Sequence, residues 1–371
     1  MKNFLLMVLF GILSSFASAN QLGEKIKLKS IHLGEEREIV VSLPPIYDSE
    51  PFYKFPVMYL TDAYSQFDHT ASMVHYFSGE FSPMIVVGIY TQDRLNELKP
   101  YTAEKQPNPK AEQLRKFIVE EVKAYVEKNY RTETFSIFAG HSLGGSFATH
   151  AYLKGPNDFN VFLAFAPNFA MGNEVMFDLM PAAFAQHKQP NMYFQFEGIT
   201  PFPTPIKSYH KISSMLLDAP HLKGSHSVQL LNGEDHMSVT HVGLISAFKE
   251  IYRDWFLYIH PVLADKNAFT AHYKMLSERV GYTVKPTESN LWEFVTILIE
   301  QNKLGTAQFI ADKAIEMYPK SHFSYSLLAD VALARNENMI AVKHLNQAIE
   351  LAAGDVERVT RYRRRIEKLN G

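Results

Sequence analysis

Between residues 26 and 258 short β-branched or aromatic runs alternate with longer stretches of helical spacing, and this alternation restricts the chain to few architectures. Strand, helix and strand in succession build a mainly parallel sheet whose two faces are covered by helices. Strands are expected at 25–33 and 37–43, an opening antiparallel pair around Gly34, and at 56–61, 83–90, 136–139, 160–166, 191–197 and 226–231. Leu114, Phe117, Ile118, Val122, Val126 and Tyr130 recur at helical spacing between them, as do Ile212, Leu216 and Ala219. The composition can support such a core. Of 371 residues 46% are hydrophobic and 13% aromatic, enough for about two domains at roughly 100–200 residues each. The absence of cysteine excludes disulfides, thiolate metal sites and a cysteine nucleophile, and a formal charge of −2 argues against adhesion to nucleic acid.

After residue 285 the strand signals stop. Ala307, Ala314 and Ile315 are matched 34 positions later by Ala341, Ala348 and Ile349, the period of a tetratricopeptide helix pair. The small alanines let paired helices approach closely. Helices at 269–280 and 356–369 are expected to cap the two units, and an ordinary antiparallel bundle is the alternative reading of the same spacing.

The N-terminus joins Lys2 to a short apolar run, Phe4 to Leu13, and then to Ala17-Ser18-Ala19. This order predicts an export signal cleaved near Ala19, and hence a periplasmic or secreted protein. No later run is long and apolar enough to span a bilayer. The expected organisation is therefore a signal peptide over 1–19, an α/β domain over 20–260 and a helical repeat domain over 261–371.

Gly140-His141-Ser142-Leu143-Gly144-Gly145 follows an apolar strand and opens a helical run. A serine on such a strand-to-helix turn takes a strained backbone that only neighbouring glycines leave room for, and the helix begins where negative charge would develop. Ser142 is thus the candidate nucleophile. A serine hydroxyl needs a base, and on such sheets acid and base follow the nucleophile on loops after later strands. Of 15 histidines, His236 fits, directly after the last expected strand in Gly233-Glu234-Asp235-His236-Met237-Ser238. Glu197, closing the preceding strand, is the candidate acid, with Asp218 as the alternative. The oxyanion donors are expected to be the N–H of Leu143 and that of Tyr64, or Ala63 in its place, in the loop after strand 56–61.

Four segments together resemble the Putative esterase family of α/β-hydrolases, which includes esterase D and the ferric enterobactin esterases. They are Val57 to Tyr64; Val86-Val87-Gly88-Ile89 with Arg94, Glu97 and Pro100; the serine turn; and Gly233 to Ser238. The resemblance covers about residues 25–258 and implies an α/β-hydrolase fold, a doubly wound mainly parallel sheet, with Ser142 as nucleophile and His236 as base. It also implies that Arg94 shapes the substrate entrance, unless it forms a structural salt bridge. Ala63 and Met237 stand where the family generally has glycine. The resulting expectation is an exported serine ester hydrolase working through an acyl-enzyme on a small-molecule ester, siderophore esters among the candidates, without metal or cofactor. An acyltransferase on the same fold is one alternative. Another is a binding protein whose helical repeats hold a protein or peptide partner beside a vestigial hydrolase half.

Overall fold

The computed structural model describes residues 22–187, 191–199 and 204–370; the expected export signal over 1–19 lies outside them. Strands β1 (Glu24–Lys29) and β2 (Glu36–Ser42) pair antiparallel around Gly34, whose φ of 71° suits glycine. They are followed by β3 (Phe55–Leu60), β4 (Ile85–Ile89), β5 (Thr132–His141), β6 (Val161–Phe165), β7 (Met192–Gly198) and β8 (His226–Leu231). The described residues form one sheet in the order β1-β2-β4-β3-β5-β6-β7-β8, antiparallel as far as β4 and parallel from there on. Every expected strand overlaps an observed one. The largest extension is in β5, where the polar residues Thr132 to Thr134 carry no apolar signal and are recruited through the pairing of Thr132 with Phe55.

The helices of this half are α1 (Ala63–Tyr76), α2 (Arg94–Glu97), α3 (Pro109–Lys116), α4 (Lys123–Asn129), α5 (Leu143–Lys154), α6 (Val175–Gln186), α7 (Thr204–Leu217) and α8 (Val239–Ile251). A π-helical stretch, Phe117–Val122, joins α3 to α4. Strand residues alternate between two cores. Tyr59, Phe138, Phe162 and Tyr193 face α3 to α7, whereas Leu60, Ile137, Leu163 and Phe196 face α1 and α8. Each large side chain so buried contributes about 1.5–3 kcal/mol. Both faces of the parallel strands are therefore apolar, and α5, buried from Leu143 to Tyr152, is enclosed all round.

The chain continues in α9 (Ile259–Ala264), α10 (Asn267–Val280), α11 (Glu288–Glu300), α12 (Leu304–Met317), α13 (His322–Ala334), α14 (Asn338–Leu351) and α15 (Val356–Asn370). Both ends of α13 lie 34 positions after those of α11, and α14 stands in the same relation to α12. Ala307, Ala314, Ala341 and Ala348 are fully buried in the seams between these helices. The two halves are not separate bodies with a clean cut at 260. Phe269 at the start of α10 belongs to the helical core, while Leu276 and Val280 at its end pack under the sheet.

A buried carboxylate fastens the junction. Glu50, on the segment between β2 and β3, accepts hydrogen bonds from the N–H groups of Glu288 (2.8 Å) and Ser289 (3.0 Å) and from the Ser289 hydroxyl (2.7 Å). The α/β half thus supplies the anion that the positive N-terminus of α11 favours. Beside it a cavity of about 430 Å³, lined by Tyr53, Trp255, Tyr258, Tyr273 and Phe294, opens at the end of the sheet where β3 and β4 begin.

Candidate active site

The Ser142 turn forms at the opposite end of the sheet. Ser142 links β5 to α5 with φ 58° and ψ −115°, a strained conformation for a residue with a side chain. A Cβ at Gly140 would collide with the carbonyl oxygen of Gly144, so the turn closes only with glycine there. It is pinned from the next strand, where the Phe165 carbonyl accepts from Ser142 N (2.8 Å), and from the following loop, where Asn168 N donates to Ser142 O (3.1 Å).

His236 arrives on the loop between β8 and α8. That loop lies directly on the end of β7: Ile199 N donates to Glu234 O (2.7 Å), and a Cβ at Gly198 would run into the Asp235 carbonyl. Asp235 shapes the loop, its Oδ1 accepting from the N–H groups of Met237 (2.8 Å) and Ser238 (2.9 Å). His141, next to Ser142, completes the seat. Its Nε2 lies 2.6 Å from the His236 carbonyl, which can only accept, so Nε2 carries the proton; the two rings are 4.7 Å apart. Burial, with the nearby charge of Arg94 among smaller contributions, holds His141 down to about 4, so it is neutral at physiological pH. His236 is also held below the ordinary histidine range, chiefly by burial; the Asp235 carboxylate opposes this and the Arg94 charge adds to it. A neutral imidazole is what a general base requires. Among the described residues neither the Ser142 hydroxyl nor the His236 ring makes a hydrogen bond, and such bonds commonly tighten only when substrate is bound.

Leu143 N begins α5 beside Ser142, and Ala63 and Tyr64 begin α1 on the adjacent loop. Ala63 is buried and the Tyr64 side chain is exposed against Tyr90, ring centroids 4.4 Å apart. Arg94 forms a two-pronged salt bridge with the buried Asp62, Nε to Oδ1 at 2.7 Å and Nη2 to Oδ2 at 2.8 Å, and remains 44% exposed. It therefore has the structural salt bridge and an open edge at once. Glu97, from the same short helix, pairs with the buried Arg37.

Glu197 closes β7 as expected, but its carboxyl has other partners. It shares the face of Tyr193 and Gln195, toward α5 and α7, whereas His141 follows Ile137 and Ala139 on the face toward α1 and α8. Gln195 Nε2 donates to Glu197 Oε1 (2.6 Å) and to Ser208 Oγ (2.8 Å), and the Tyr193 hydroxyl donates to Gln195 Oε1 (2.7 Å). Burial pushes the Glu197 carboxyl up to about 8, against hydrogen bonds from Ser208 and Gln195. Asp218 is exposed just past α7, which runs back toward the start of β8, so it lies at the other end of the sheet. The structure thus brings Ser142, His236, Leu143, Tyr64 and Arg94 to one end of the sheet. It hydrogen-bonds neither carboxylate to the imidazole. Among the described residues no group of three or more His, Asp or Glu side chains could hold a metal ion.

Residues 30–204 match the sequence profile of the family described as Putative esterase. Over this span the chain belongs to the esterase family. Its fold is that of an IroE-like serine hydrolase from Shewanella oneidensis, with 25% identity and a TM-score of 0.67 over 78% of this chain and 97% of that one. A Capnocytophaga ochracea DSM 7271 protein, 15% identical with a TM-score of 0.63, covers 94% of this chain and 99% of its own, so the fold it shares extends over the C-terminal helices. The siderophore hydrolase EstB from Aspergillus nidulans, 22% identical with a TM-score of 0.51, covers 64% of this chain and 97% of its own. No curated protein sequence matches.

Two residues of this esterase gain roles that spacing alone did not suggest. His141, named in the sequence only as a member of the serine turn, holds the backbone of the His236 loop. Asp62 reads only as a flank of the oxyanion loop, yet it carries the ion pair to Arg94. The available signal was positional: an acid and a base at the ends of two strands that become neighbours once β3 and β4 pair.

Proposed function

We propose that this esterase is an exported carboxylic ester hydrolase acting through an acyl-enzyme. Ser142 attacks the ester carbonyl as His236 takes its proton, the N–H groups of Leu143 and Tyr64 receive the charge on the carbonyl oxygen, and His236 returns the proton to the leaving alcohol. Water then releases the acid by the same steps. The observation that carries this reading is the strained Ser142 turn lying next to a histidine loop that is bonded to the preceding residue, His141. Family membership supports the ester chemistry, and the likeness to an IroE-like serine hydrolase and to a siderophore hydrolase supports siderophore-type esters as substrates. Glu197 is assigned a supporting role beneath β7 in place of a role behind the imidazole. In this reading the 34-residue helix pairs are tetratricopeptide-like units that brace the sheet through Glu50 and α10, and the N-terminal segment directs export to the periplasm or beyond.

Labelling with a fluorophosphonate probe and release of p-nitrophenol from short-chain esters test the proposal. Wild type should label and turn over, and Ser142→Ala and His236→Ala should lose turnover by about 10⁴-fold or more. A Ser142→Ala protein that still labels and hydrolyses would refute the assignment.

A further inference from the structure

We infer that Asp62 is a positioning residue for the oxyanion loop, holding it against α5 and neutralising Arg94 beside the catalytic base. This rests on the reading of Ser142 and His236 given above. Asp62 precedes α1 at φ 58° and ψ 44°, in the left-handed region that residues with a Cβ enter at a cost of about 1–2 kcal/mol. Its two acceptor groups are committed in different directions. The main-chain carbonyl accepts from Ser65 N and Gln66 N, both at 2.9 Å, and so starts the helix. The carboxylate is gripped by the two Arg94 nitrogens. The first two amides of α1, those of Ala63 and Tyr64, are left without an acceptor among the described residues, as the opening N–H groups of a helix are.

The loop is also pressed against the nucleophile's helix. A Cβ at Gly144 would lie 2.5 Å from Thr61 Oγ1 and 3.2 Å from Asp62 Oδ2, so the starts of α1 and α5 are in direct contact. Moving Asp62 therefore moves the Tyr64 amide relative to the Leu143 amide, and two such donors work only when both point at the same oxygen. The ion pair has an electrostatic consequence as well. The charged and titratable groups around His236 are Arg94, Asp235 and His141, with His69 of α1 and His241 of α8 in tilted ring contact, centroids 4.6 Å apart, beyond His141. Burial is the main obstacle to the imidazolium; Arg94 is the cation that adds to it, and the Asp62 carboxylate offsets that charge.

The test is steady-state hydrolysis of a p-nitrophenyl ester by Asp62→Asn, Asp62→Gly, Arg94→Gln and the double variant Asp62→Asn/Arg94→Gln. Glycine accepts the left-handed turn, so Asp62→Gly keeps the fold while removing the clamp. We expect kcat to fall about 10–100-fold in both Asp62 variants, with KM within about twofold of wild type. The acid limb of the kcat/KM profile should move to lower pH in Asp62→Asn and to higher pH in Arg94→Gln. In the double variant it should return toward wild type while kcat stays low. If both Asp62 variants retain kcat within about threefold, or the limb stays in place in Asp62→Asn, the positioning role is overturned. Fluorophosphonate labelling of the same samples separates the two levels: a wild type that fails to label overturns the nucleophile assignment, whereas labelled variants with unaltered kcat overturn only the clamp.

Discussion

Replacing Glu197 by glutamine separates two roles for this carboxyl by several orders of magnitude. The side chain is 1% exposed, and its pKa is pushed up to about 8 by burial, so at pH 7 it is protonated in roughly nine molecules of ten. The native state therefore binds more protons than the unfolded chain between the ordinary value of 4.5 and about 8, and stability falls as pH rises through that window. At about 1.36 kcal/mol per unit the full loss is on the order of 5 kcal/mol, complete only above the folded-state value. Glutamine copies the neutral acid: it presents an oxygen to Gln195 Nε2 and has no proton to lose. Urea unfolding of wild type and Glu197→Gln from pH 5 to pH 9 should give a stability difference that grows in favour of the variant as pH rises. Taking the difference cancels the buried histidines common to both proteins. Ester turnover at pH 7 should stay within a few-fold of wild type. A triad acid behaves otherwise, since losing it lowers kcat by about 10⁴-fold with the geometry intact. A folded Glu197→Gln protein with a loss of that size, or with a stability curve parallel to that of wild type, would refute the reasoning.

Two further perturbations follow from contacts elsewhere in the molecule. Gly198→Ala places a methyl group against the Asp235 carbonyl and must displace the His236 loop; kcat for a p-nitrophenyl ester should fall about 10-fold or more, and an unchanged value would show that the loop does not take its position from β7. Glu50→Ala leaves the N–H groups of Glu288 and Ser289 without their anion at the junction, which should cost about 2–4 kcal/mol and open the start of α11 to proteases in limited digestion, while turnover at the far end of the sheet persists. Digestion at the wild-type rate would show that the junction is held by apolar packing alone.

The parts of this esterase that were legible in its sequence are those set by local backbone chemistry. The Ser142 turn announces itself because its strain demands glycines at fixed offsets, and the His236 loop because it follows the last apolar run. The 34-residue recurrence survives because each buried alanine answers a steric need at a helix seam. The role of Glu197 depends instead on strand parity, and β7 conceals it. Tyr193, Phe194, Gln195 and Phe196 are buried on both faces, so the run lacks the apolar-polar alternation that would show which way its last side chain turns. The informative pair was Gln195 with Glu197, two polar residues on one face of a buried strand, a pattern that calls for a hydrogen-bonded network with the helix covering that face more than for a reach toward a loop at the strand end. Asp62 and Arg94 stayed hidden for a different reason. They are 32 positions apart, and only the adjacency of β3 and β4 within the sheet brings their loops together. Strand order in a parallel sheet is a property of the whole fold, so an ion pair spread over two neighbouring strand ends is invisible to any reading that moves along one segment at a time.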